Sequence, residues 1–163
     1  MRQLLAPITP VAPGAVIAAS DVERSNLLQV HSDALDLKLA YRLKEICQQG
    51  WASDPARTLA AATTLDALIS YLPQREVRSL ADWSAGIAAL TMGQMETALA
   101  RLDEAHAGFE ALGHRHTAAS TQVSKVIALA MTGSYDLPLY TSGDAYQLCL
   151  LDLGLVGFFI TLT

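Results

Sequence analysis

The stretch GIAALTMGQMETALARLDEAHAGFEALG, Gly86 to Gly113, holds two runs of helical periodicity divided by a single glycine. The second run, from about Gln94 to Leu112, sets Ala98, Leu102, Ala105 and Phe109 on one stripe and Glu96, Arg101, Asp103, Glu104 and Glu110 on the other side. Spacing of three and four residues with opposite polarity marks an amphipathic helix, half facing a core and half facing water. Gly113 supplies its stop, since glycine takes the left-handed conformation without a Cβ penalty. The first run carries Trp83, Gly86, Ile87, Ala89 and Leu90 and closes at Gly93. Ser79 with Asp82 three residues on gives it a capping-box-like start, Asp standing in for the longer Glu.

Working outward, the turn recurs. CQQG ends at Gly50, LTMG at Gly93 and AMTG at Gly133, at intervals of about 40 residues. Upstream, residues 32–49 place Leu35, Leu39, Leu43, Ile46 and Cys47 at helical spacing, with Ser32 or Asp33 as N-cap and Gly50 as stop. Ser53, Asp54 and Pro55 start a partner helix, proline sitting where no amide donor is needed. It runs through Leu59, Ala62, Leu65, Leu68 and Ile69 to Leu72, and Pro73 closes it. Downstream, a helix beginning near Thr117 carries Val123, Val126, Ile127 and Ala130, and its expected partner fails at Pro138. One helical hairpin cannot bury its own apolar face, so this period predicts stacked antiparallel helix pairs and an all-α fold over residues 32–136.

Composition narrows function. The net charge is −5, and three of the sixteen acids, Asp136, Asp144 and Asp152, lie beyond Lys125, the last basic residue. With no basic stripe, the chain is not expected to bind nucleic acid. Cys47 and Cys149 have no paired spacing, and Cys47 reads as a small core residue compatible with a reducing cytoplasm. Arg2, Leu4 and Leu5 open with the outline of an export signal, but Pro7, Pro10 and Pro13 break its apolar run. Residues 1–31 are therefore expected to form an irregular arm. Residues 137–163 lack lysine, arginine, glutamate and histidine and end in LCLLDLGLVGFFITLT. Asp152, Gly154 and Gly157 interrupt a stretch of about 17 residues, the short limit for a membrane span. This tail reads as a degenerate repeat or a truncated or frameshifted end, and uncapped repeat ends invite self-association.

The Gly86–Gly113 unit resembles the tetratricopeptide repeat. Gly86, Gly93, Ala98, Leu102 and Ala105 fall at the family's positions, with small residues where two helix backbones approach and Leu102 between successive pairs. Trp83 is one residue off the usual aromatic position. TGSYDLPL, with Gly133 and Tyr135, looks like a degenerate repeat turn, and Gly50, Leu59 and Ala62 match the second unit in register. The period exceeds the family's usual length. The unit is similar to the longer-helix variant found in bacterial regulators, including proteins that end in a CHAT peptidase domain. Nothing in the sequence resembles that peptidase domain. The resemblance implies a short right-handed solenoid whose concave groove takes a peptide or protein partner. Its lining would be Tyr41, Lys44 and Gln48 from the first unit, Trp83, Ile87 and Thr91 from the second, and Ser120 and Ser124 from the third. Trp83 serves either as a groove anchor or as a packing tryptophan, and Trp83 and Tyr41 are the first anchors to test. The family's carboxylate clamp needs several cations, and only Lys44 is available.

No other chemistry is expected. His114 and His116 follow the Gly113 stop with His106 two turns upstream, a set lacking a fourth ligand, so no metal is assigned. No nucleophile elbow, phosphate loop or dinucleotide fingerprint occurs, and neither catalysis nor a cofactor is expected. The leading reading is a non-catalytic cytoplasmic interaction scaffold. The alternatives are the regulatory fragment of a larger effector protein and a helical enzyme or metal-binding bundle.

Overall fold

The computed structural model describes residues 11–131. The export-signal outline before them lies outside the described residues, as do the Gly133 stop and the apolar tail.

All regular structure among these residues is helical. Where an irregular arm is expected, the described residues from 11 onward form two helices, α1 (Pro13–Ala18) and α2 (Asp21–Val30). Pro13 does not break α1; it occupies the first turn, where a missing amide costs nothing. Ser20 and Glu23 form a reciprocal capping box at the start of α2. The Ser20 amide donates to the Glu23 carboxylate at 3.0 Å, a bond that holds this carboxyl below its ordinary value. Arg24, buried in the junction, donates to the carbonyls of Val16 at 3.3 Å and Ala19 at 3.1 Å. It thereby satisfies the orphan carbonyls where α1 ends.

A 3-10 turn over Ser32–Ala34 precedes α3 (Leu37–Gly50), so neither Ser32 nor Asp33 is the cap. Asp36 is: its carboxylate accepts from the Leu39 amide at 2.9 Å. Asp54 and Pro55 start α4 (Pro55–Leu68) as expected, but the helix ends a turn before Pro73. Helix α5 (Arg75–Thr91) begins a full turn before Ser79. Ser79 is buried mid-helix, its hydroxyl donating to the Arg75 carbonyl, and it packs against the Cβ position of Gly108. Helix α6 (Met95–Ala111) has the expected buried stripe of Ala98, Leu102, Ala105 and Phe109. Helix α7 (Arg115–Met131) buries Ala118, Thr121, Val123, Ser124 and Ala128, while Val126 is 43% exposed, so the expected stripe is rotated.

Gly93 and Gly113 end α5 and α6 with φ of 71° and 75°, the left-handed stops read from sequence. Gly50 is different. It stays helical, and a Cβ there would sit 2.7 Å from the Thr58 hydroxyl, so the residue serves a close crossing of α3 and α4. At Gly86 a Cβ would lie 2.9 Å from Leu102 Cγ, which lets α5 and α6 approach.

From α3 onward each helix packs on the next, and α3 with α5, and α5 with α7, also touch. Contact between alternate helices places α3, α5 and α7 side by side in one direction. Two further contacts support this: Tyr41 near the start of α3 bonds to Glu76 at the start of α5, and His114, just before α7, faces the same carboxylate. One apolar core runs through the stack, and α1 covers its first end by packing on α3 and α4. Among the described residues no helix is long and apolar enough to cross a membrane.

Candidate functional site

Three of the eight residues singled out from sequence, Gln48, Ile87 and Ser124, come together where α3, α5 and α7 meet, and Tyr41, Lys44, Trp83, Thr91 and Ser120 do not join them there. At the carboxyl-terminal ends of α3 and α5 is a recess of about 370 Å³. Glu45, Gln48, Gln49 and Trp51 line it from α3 and its last residue's neighbour, Ile87 and Leu90 from α5, and Ser124 and Ile127 from α7. Gln48, Ile87 and Ser124 were read from sequence; the other five were not. Glu45, Gln48 and Gln49 stand at i, i+3 and i+4, one helix face, a signal present in the sequence. Trp51 gave none, because Gly50 reads as a stop and puts its neighbour in a loop. The chain stays helical through Gly50, and Trp51 continues in the right-handed region with φ −53° and ψ −36°.

Thr91 fixes that tryptophan's backbone. Its hydroxyl lies 3.2 Å from the Trp51 carbonyl and 3.0 Å from the Ile87 carbonyl, linking the ends of α3 and α5. Beside the recess, the Trp83 indole N–H donates to Ser124 Oγ at 3.0 Å. Its ring meets Phe109 edge-on, with centroids 6.1 Å apart, and the Lys44 ammonium lies 4.0 Å above it. Trp83 is only 3% exposed and does not line the recess, so it is a packing tryptophan of the core rather than an anchor a partner could grip.

Tyr41 lies two turns before Gln48, about 10 Å along the helix axis. Its hydroxyl donates to Glu76 at 2.5 Å. Burial first, and then the hydrogen bond and charge of Glu76, push this phenol up to about 12. Ser120 is a turn before Ser124, its hydroxyl donating to the His116 carbonyl at 3.1 Å. Neither Tyr41 nor Ser120 reaches the recess.

The histidines do not converge. His106 bonds through Nδ1 to the Ala118 carbonyl at 3.0 Å, His114 stacks on Phe109, and His116 is exposed. Among the described residues no group of three or more His, Cys, Asp or Glu side chains could hold a metal ion. Cys47 is fully buried, its thiol 3.4 Å from the Ser84 carbonyl, and burial pushes it up to about 12. At neutral pH it is a core thiol and not a nucleophile.

The recess sets apolar Ile87, Leu90 and Ile127 beside the polar side chains of Glu45, Gln48, Gln49 and Ser124. The chain matches no protein-family model, and no curated protein or solved structure is detectably similar to it.

Proposed function

We propose that this chain is a non-catalytic scaffold, similar to the tetratricopeptide repeats, that binds a peptide segment of a protein partner across the face of α3, α5 and α7. The observation that carries this reading is the recess, where three alternate helices contribute an apolar floor of Ile87, Leu90 and Ile127 under a polar rim. Such sites bind by burying apolar groups, with a few polar groups fixing orientation. The alternating packing and the glycine stops at Gly93 and Gly113 support a short right-handed solenoid with this face concave. The buried free thiol of Cys47 suits a reducing compartment, and we place the protein in the cytoplasm.

The test is selection of phage-displayed random peptides on the full chain, followed by affinity measurement against Gln48→Arg and Gln49→Arg. Both residues sit on the rim, so circular dichroism should stay unchanged. Selected peptides are expected to bind each variant at least about tenfold more weakly. Peptides that bind the variants and the parent chain equally would remove the groove from consideration.

A further inference from the structure

We propose that the recess receives a basic side chain, the lysine or arginine of the bound segment. This inference rests on the peptide-binding reading above and names which side chain enters.

Three observations converge on it. First, among the described residues of the lining Glu45 is the only acidic one, and none is basic. Among the described residues its carboxylate has no hydrogen bond or ion pair. Secondly, α3 and α5 both end at this side of the molecule, where the Thr91 hydroxyl joins their last turns. The aligned peptide dipoles of a helix place partial negative charge at its carboxyl-terminal end, which favours cations and disfavours anions. Thirdly, the fold already seats one ammonium on an indole on this same face. Lys44 lies 4.0 Å above Trp83, which bonds to Ser124 of the lining. Trp51, one helical turn past Gln48, also lines the recess, and the lining includes a carboxylate and no lysine. A cation near an aromatic ring and a carboxylate gains from both.

The apolar floor completes the match. Lysine and arginine carry three or four methylenes before the charge, and such stems lie along apolar surface while the head stays polar. Ile87, Leu90 and Ile127 give the stem its surface, and Glu45, Gln48 and Gln49 supply acceptor oxygens for the N–H groups. An acidic segment would bring its carboxylate against Glu45 and the carboxyl ends of α3 and α5.

The experiment uses the full chain labelled with ¹⁵N and two small probes of equal length, n-hexylammonium and n-hexanoate. The two tryptophan indole N–H signals report separately, Trp51 from the recess and Trp83 from the core bond to Ser124. Hexylammonium is expected to shift the Trp51 signal saturably, with Trp83 moving less. Glu45→Gln, on an exposed position, should weaken that binding by roughly fivefold, the scale of a partly solvated charge pair. Added salt should weaken it too. Equal shifts from both probes, or binding unchanged in Glu45→Gln, would leave the recess a binding site and overturn its preference for cations. Should neither probe move the Trp51 signal, the cation site and the recess as a binding site fall together.

Discussion

The two ends of the α3, α5 and α7 face are built from the same helices and behave as opposites. At the amino-terminal end the polar groups are spent on one another. Tyr41 donates to Glu76, His114 Nδ1 stands 3.7 Å from that carboxylate, and the His114 ring stacks on Phe109 at 6.4 Å. Phe109 in turn meets Trp83. At the carboxyl-terminal end the rim amides of Gln48 and Gln49 have no hydrogen-bond partner among the described residues, and the apolar floor faces a recess instead of another helix. The first surface ties α3, α5 and the entry to α7 together, and the second leaves its amides to solvent.

That contrast predicts unequal costs for truncating an aromatic residue at each end. Phe109 is completely buried, so Phe109→Ala is expected to lower the unfolding free energy by about 3–5 kcal/mol in chemical denaturation. Trp51 is only partly buried, and Trp51→Ala should cost about 1 kcal/mol despite the larger side chain. Equal losses would mean that the recess is part of the core and that the two ends do not differ.

Much of the closed architecture is legible in the sequence, because local rules and packing agree there. The α6 stripe, the Asp54–Pro55 start and the stops at Gly93 and Gly113 are all local signals. The failures have a common cause in tertiary contacts. Gly50 remains helical because Thr58 on the next helix crosses it closely, and Ser79 sits mid-helix because Gly108 leaves room for it. The first two helices depend on Arg24 reaching back to the carbonyls of α1, a contact no periodicity announces. Even so, Ser20 and Glu23 spell a capping box that was there to be read. The site divides in the same way. Gln48, Ile87 and Ser124 follow from face position alone, whereas Trp51 enters the recess only because the helix outlasts its glycine.

A smaller effect sharpens the comparison through pH. In the folded chain the Tyr41 phenol is pushed up to about 12 from an ordinary 10.0. The folded state thus holds this proton more tightly than the unfolded state. Its contribution to stability is complete below about pH 10 and disappears as pH rises through 12. Tyr41→Phe should cost about 1 kcal/mol at neutral pH by removing the bond to Glu76. It should also flatten the alkaline fall in stability, measured by urea denaturation at successive pH values. Glu45→Gln, at the open end, should leave that fall unchanged. A fall that persists in full in Tyr41→Phe would show that the phenol–carboxylate bond does not hold the closed end together.

Between the two ends, on the flank of α5, Asp82 pairs with Arg101 of α6 at 2.8 Å. Here the smallest effect is expected, and its sign is informative. Burial raises the Asp82 carboxyl above its ordinary value even though Arg101 pulls the other way. The ionised form is therefore less favoured in the folded chain than in the unfolded one. The stabilising contribution of this group is present under acid conditions and lost as pH rises through its folded pKa. Asp82→Asn removes both the burial penalty and the charge attraction, so at neutral pH it should change stability by less than about 1 kcal/mol. On acidification the native chain should gain relative to the variant. If the ion pair dominated, the order would reverse and the native chain would lose ground as Asp82 takes up its proton. That second outcome would make the α5–α6 flank an electrostatic clasp, and the stability of the stack would then depend on salt as well as on its apolar seam.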